Sequence, residues 1–83
     1  MITIYGKDNC TFCEQAKALC VTKDIEFEYL SLGVDFERDD FIKMMEEEYS
    51  VLPRTMPQIV DGVDYVGGFT ELKIKLDGVS KEA

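Results

Sequence analysis

Two cysteines separated by two residues, Cys10-Thr11-Phe12-Cys13, stand between a β-branched run and a run of helix formers, and no other feature constrains the chain as much. Residues 2–5 (Ile-Thr-Ile-Tyr) read as a short strand, and Gly6 to Asn9 as a polar break. From Thr11 to about Lys23 the composition favours a helix, with Cys13, Ala16 and Cys20 on one apolar stripe at i, i+3 and i+7. Cys10 then lies at a helix N-terminus and Cys13 one turn further in, so the two sulfurs can bond without backbone movement. Orphan N–H groups and the positive end of the helix dipole favour a thiolate at Cys10, lowering its pKa below the free value of about 8.5. Lys7, three residues earlier, can add a cation. Cys13 begins the buried stripe, so it is expected to be less exposed and less ionised. This asymmetry suits a dithiol redox centre in which Cys10 attacks and Cys13 resolves the mixed disulfide.

Composition narrows the alternatives. A chain of 83 residues allows one small domain, whose core alone gives thin stability. The absence of His removes the commonest general base and neutral metal ligand. A zinc site needs a second Cys/His pair, and only Cys20 is left to offer one. Cys20 lies on the buried stripe and reads as a small core hydrophobe. The net charge of −8 argues against nucleic acid and anionic membrane as partners. No apolar run approaches the roughly 20 residues of a membrane span. The start, Met1 to Gly6, has no charged n-region and no long apolar segment, so no signal peptide is expected. The compartment is then expected to be reducing, where a close cysteine pair is redox-active or metal-binding more often than structural.

The remaining chain alternates strand and helix patterns. Residues 25–32 read as a second strand, and Arg38 to about Tyr49 as a second helix with Phe41, Met44, Met45 and Tyr49 on one face. Its other face is acidic, with Glu46, Glu47 and Glu48 together. Pro53 and Pro57 bracket a loop. Gln58-Ile59-Val60 and Val63-Asp64-Tyr65-Val66 flank Asp61-Gly62, a two-residue hairpin signal. Phe69, Leu72, Leu76 and Val79 fit a last helix with Gly78 as its stop, although residues 72–76 also alternate like a strand. The order β-α-β-α-β-β-α implies an α/β fold: a parallel pair with a right-handed crossover, extended by a hairpin into a mixed four-stranded sheet with helices on its faces.

Three segments in this order resemble the glutaredoxin family of the thioredoxin-fold superfamily. They are Cys10-Thr11-Phe12-Cys13 after the first strand, Arg54-Thr55-Met56-Pro57-Gln58-Ile59 before the hairpin, and Gly67-Gly68-Phe69-Thr70-Glu71 opening the last helix. The resemblance runs from Ile2 to about Asp77, extends to the compact dithiol forms of bacteria and their phages, and implies one glutaredoxin domain over residues 1–83.

The resemblance implies a glutathione-dependent thiol–disulfide oxidoreductase, with glutathione as reducing co-substrate. It implies a cis Met56-Pro57 peptide; from the sequence alone Pro57 is an ordinary turn proline. The backbone of Thr55 and Met56 would pair with the cysteine of glutathione. The N–H groups of Thr70 and Glu71, after the close approach that Gly67 and Gly68 permit, would hold the γ-glutamyl carboxylate. An acidic residue at Glu71 would meet the amino group, where the family more often has Asp. Read without the family, these residues are a turn and a helix cap. Lys7 matches the position that binds the glycine carboxylate, and Arg54 adds to the same positive patch; Lys7 also reads as a solvated surface lysine. Phe12 stands where Tyr is usual and would cover the site and a partner's backbone; packing on Tyr5 is the other reading of Phe12. Phe69, in the last of the three segments, is counted among the glutathione-binding residues.

Thr11 replaces the Pro of many relatives and restores an N–H and a hydroxyl beside Cys10. Some relatives lacking that Pro bind a [2Fe–2S] cluster between two subunits, which is one alternative; a redoxin reduced by a thioredoxin reductase instead of glutathione is another, against which Gly67-Gly68-Phe69-Thr70-Glu71 speaks; no metal is expected. Partners implied by the family are glutathione and disulfide-containing or glutathionylated proteins, ribonucleotide reductase among them. The resemblance further implies a monomer in the cytoplasm, the host's if the source is viral. Much of the negative charge lies between Asp35 and Glu48. It is expected to face away from Cys10 and to leave Lys7 and Arg54 as a locally positive rim.

Overall fold

The computed structural model describes the backbone of residues 1–82 and the side chains of residues 1–77. Strand β1 (Ile2–Gly6) leads into helix α1 (Thr11–Thr22), β2 (Phe27–Ser31), α2 (Arg38–Tyr49), β3 (Gln58–Asp61), β4 (Asp64–Gly67) and α3 (Phe69–Glu82). The sheet order is β2-β1-β3-β4. β1 and β2 run parallel, with Ile4 opposite Tyr29, while β3 is antiparallel to both β1 and β4. This is the mixed four-stranded sheet that the element order implied, and the thioredoxin fold that the resemblance implied.

Alternation along β1 assigns the two faces of the sheet. Ile2, Ile4 and Gly6 are buried, and the residues between them are partly exposed. Ile2 and Ile4 join Ile59, Ala16, Cys20 and Leu72 in a core under α1 and α3. On the other face Phe41, Met45 and Val60 form a second core under α2, edged by Tyr5, Phe36 and Tyr49. The stripe of Cys13, Ala16 and Cys20 is fully buried, as the i, i+3, i+7 spacing requires. β1 therefore sits between two apolar layers and delivers its C-terminal end, Gly6, to the loop that carries Cys10.

Two local expectations shift. The hairpin turn is Gly62-Val63, with Asp61 and Asp64 paired across it, one position later than the Asp61-Gly62 reading. Gly62 has φ +62 at the first central position, and Val63 has no positive φ, the type II′ pattern. Met1 reinforces this register: its carbonyl accepts from Gly62 N–H, and its ammonium lies 3.4 Å from Asp61 Oδ1. Gly78 does not stop the last helix, which continues to Glu82. Leu72 is buried there and Leu76 is partly buried, whereas Val79 lies outside the described side chains.

Candidate active site

Cys10 is the N-cap of α1, in extended conformation with φ −122 and ψ 104. Asn9 just before it takes the left-handed conformation, φ 54, which Asn tolerates better than most residues and which turns the chain from strand into helix. The Cys10 sulfur accepts the Cys13 N–H at 3.2 Å, filling the place an N-cap oxygen normally fills. Cys10 and Cys13 are joined as a disulfide, with Cα atoms 5.2 Å apart. The asymmetry between them is present: Cys13 is fully buried and Cys10 only partly.

The loop from Pro53 to Pro57 leads into the start of β3, beside the end of β1, and there meets this cap. The Met56-Pro57 peptide is cis, and the Met56 carbonyl oxygen lies 3.8 Å from Cys10 Sγ. A buried side chain anchors the loop. Gln58 Nε2–H donates to the Thr55 carbonyl at 2.8 Å, and Gln58 Oε1 accepts from the Tyr65 hydroxyl at 2.6 Å. Burial, with the charge of Glu71 as the lesser cause, pushes the Tyr65 phenol above its ordinary pKa.

Gly67 and Gly68 bring the start of α3 against the same loop. Gly67 has φ +122, and a Cβ there would meet Glu71 Cγ at 2.9 Å. A Cβ on Gly68 would lie 3.3 Å from Glu71 Oε1 and 3.6 Å from the Pro57 carbonyl. Glu71 Oε1 accepts the Gly68 N–H at 2.8 Å, a reach from the third helical position back to the N-cap. Thr70 and Glu71 are exposed on the first turn, where backbone N–H groups have no partner inside the helix. Phe12 is 57% exposed, and its ring lies 6.1 Å from that of Phe69. It leans on α3, whereas Tyr5 packs against Phe36 and Phe41 under α2.

A cleft on the α2 side of Cys10 gathers Lys7, Arg54, Thr55 and Met56, all expected at the site. It also includes Arg38, which sequence reasoning assigned only to the start of a helix, and its apolar floor includes Phe41 and Ile42. The one sequence signal for Arg38 was a cation opening a helix whose first turn is otherwise acidic, with Asp39 and Asp40 beside it. No carboxylate lines this cleft, and Lys7, Arg38 and Arg54 make no ion pair among the described residues. The acidic face of α2 leaves the positive rim open. One carboxylate does stand near the sulfur: Glu14 shares a shallow hollow with Asn9, Cys10 and Thr11, and it is paired with Lys17 at 3.2 Å. Among the described residues no cluster of three or more His, Cys, Asp or Glu could hold a metal.

The loop that carries Lys7 rests on Tyr29. A Cβ on Gly6 would collide with the Tyr29 phenol, so only glycine permits this approach. Lys17 Nζ sits 4.3 Å above the Tyr29 ring. Two turns along α1, burial pushes the Cys20 thiol up from its ordinary pKa.

The glutaredoxin family model matches residues 2–66. Glutaredoxin 3 of Escherichia coli strain K12 is 32% identical over 72 residues, covering 86% of this chain and 80% of the relative. Glutaredoxin 1 of Francisella tularensis, solved with cacodylate, superposes with a TM-score of 0.79 at 28% identity, over 96% of this chain and 95% of that one. A buckwheat glutaredoxin–glutathione complex shares the fold, with a TM-score of 0.70 at 21% identity over 93% of this chain and 69% of that one.

Proposed function

The chain belongs to the glutaredoxin family and is a thiol–disulfide oxidoreductase, and from that premise we propose that it uses glutathione to reduce glutathionylated proteins and protein disulfides. The observation that carries this reading is the setting of Cys10. Its sulfur caps α1 and touches the carbonyl of Met56, and Met56 in turn lines the cleft of Lys7, Arg38 and Arg54, cations with no ion pair among the described residues. A tripeptide with a carboxylate at each end fits such a site.

In the reduced protein, Cys10 thiolate attacks the glutathione sulfur of a glutathionylated protein. The protein's thiolate leaves and takes a proton from water, and Cys10 is left bonded to glutathione. A second glutathione thiolate attacks the glutathione sulfur of that bond, releasing oxidised glutathione and regenerating the Cys10 thiolate. With a protein disulfide, Cys10 first forms a mixed disulfide with one partner sulfur. Cys13 then attacks Cys10 Sγ, the partner leaves with both sulfurs reduced, and two glutathiones reduce the resulting Cys10–Cys13 bond. The thiolate that attacks is the one the helix N-terminus stabilises.

In this reading Lys7, Arg38 and Arg54 hold the glycine carboxylate. The backbone of Thr55 and Met56, presented by cis Pro57, pairs with the cysteine of glutathione. The N–H groups of Thr70 and Glu71 hold the γ-glutamyl carboxylate, and Gly68 allows that approach. Phe12 and Phe69 shield the disulfide from water. Glu71 Oε1 is already bonded to Gly68 N–H, so its first task is to hold that turn. The protein acts as one domain and as a monomer in a reducing cytoplasm, with ribonucleotide reductase among its protein partners. No helix among the described residues is long and apolar enough to cross a membrane.

The test is turnover of a glutathione mixed disulfide in the presence of glutathione, glutathione reductase and NADPH. Turnover that saturates with glutathione is expected. No turnover there, but turnover with a thioredoxin reductase, overturns the glutathione assignment.

A further inference from the structure

We infer that the Lys7–Arg38–Arg54 cleft selects protein disulfides whose reacting cysteine is flanked by carboxylate side chains. This rests on the disulfide-exchange reading of Cys10, and it names the class of protein segment that reading left open. The chain carries a net charge of −8 with only 9 Lys and Arg, yet three of those nine line one cleft without a carboxylate among them. Cations elsewhere are paired: Lys17 with Glu14, Lys23 with Asp77 and Lys75 with Asp61. Lys7, Arg38 and Arg54 have no such partner among the described residues.

That arrangement does not serve the fold. Three like charges on one rim repel one another, and Arg38 stands at the first position of α2, where the helix dipole disfavours a cation. A bound anion relieves both. The single carboxylate at the end of a tripeptide offers one negative charge to three positive ones, whereas an acidic protein segment offers two or more. The floor of the cleft, Phe41, Ile42 and Met56, gives such a segment apolar surface to lie along. The opposite side of Cys10 has a different character, with the exposed Phe12 ring leaning on Phe69. The occupant is therefore an extended segment of a partner protein, acidic on the cleft side of its cysteine. Elsewhere the net negative surface repels acidic partners, so attraction is confined to the place where exchange occurs.

The experiment uses the reduced protein without glutathione. Three peptides carry one cysteine as a 2-thiopyridyl disulfide, a neutral leaving group, flanked on both sides by Asp, Asn or Lys. Cys10 thiolate attacks the peptide sulfur, the Cys10–peptide disulfide forms, and 2-thiopyridone leaves and is read by absorbance. Rates are divided by those with 2-mercaptoethanol to remove intrinsic reactivity. The Asp peptide is expected to react about tenfold faster than the Asn peptide at low salt, with the Lys peptide slowest, and the spread is expected to shrink as salt screens the rim. Arg38→Glu should abolish or reverse the order. Lys43→Glu, exposed on the same helix outside the cleft and equal in charge change, should preserve it.

Release at one rate from all three peptides overturns the inference alone, as does a preference that Lys43→Glu removes equally. The salt dependence of the unaltered protein decides the matter independently of how any variant folds. No release above the mercaptoethanol rate overturns the exchange reading and this inference together. Self-association at assay concentration that Arg38→Glu abolishes assigns the cleft to a second copy and overturns the protein-partner assignment.

Discussion

Cys10 and Cys20 lie on one helix, and the chain treats their sulfurs in opposite ways. Cys10 is partly exposed at the N-cap, where its sulfur accepts a backbone N–H and meets the helix's positive end. Cys20 is fully buried among Ile2, Ile4, Ile59 and Leu72, and its thiol is pushed up by that burial. Dielectric and dipole, not the side chain, decide which cysteine is a nucleophile and which is a core residue. Cys13 lies between them in position and in character: fully buried, yet bonded to Cys10.

The largest expected effect tests that division directly. Cys10→Ser removes the attacking sulfur and should lower turnover of every disulfide substrate by at least about a thousandfold, measured in the coupled glutathione assay. Cys13→Ser should lose turnover of protein disulfides and retain removal of glutathione from a mixed disulfide. Equal loss of both activities in Cys13→Ser would break the assigned roles.

A smaller effect, on stability, is expected at the other end of the helix. Cys20→Ser places a hydroxyl in an apolar core and should cost about 1–3 kcal/mol in urea unfolding, with turnover by the folded protein unchanged. A loss of turnover without a loss of stability would mean that Cys20 takes part in the chemistry.

The smallest effect is on pH dependence. A thiol whose pKa is raised by folding binds its proton more tightly in the native state. Its contribution to stability is therefore complete below the ordinary thiol pKa and is lost as pH rises through the folded value. Tyr5, Tyr29 and Tyr65 are shifted upward too, chiefly by burial, so they extend the same trend to higher pH. Unfolding midpoints of the oxidised protein should fall as pH rises above about 8.5. Cys20→Ala should flatten the first part of that fall, and an unchanged slope would contradict the burial account.

The fold was legible wherever local pattern and tertiary packing agree. The stripe of Cys13, Ala16 and Cys20 and the face of Phe41 and Met45 announced both cores, because a helix buries residues at fixed spacing. The hairpin register was harder to read. Asp-Gly suggested a turn centred on Asp61-Gly62, but Met1 ties down both residues and Asp61 pairs with Asp64. Gly78 resembled a stop only because glycine is common after helices.

The candidate site divides in the same way. Cys10, Cys13 and the cis Met56-Pro57 were readable from motifs. Arg38 was not, because its place beside Lys7 and Arg54 depends on a crossover that folds α2 over β1. The Tyr65–Gln58–Thr55 chain was equally hidden, since no local signal marks one buried glutamine as an anchor.

The account rests on one sulfur being ionised by its place on α1. Alkylation of the reduced protein by iodoacetamide across pH, with the modified residue identified by mass spectrometry, measures this directly. We expect Cys10 to react first, with a midpoint well below the free thiol value of about 8.5, while Cys20 stays unmodified in the folded protein. A Cys10 midpoint at or above that value, or modification of Cys20 before Cys10, would contradict it.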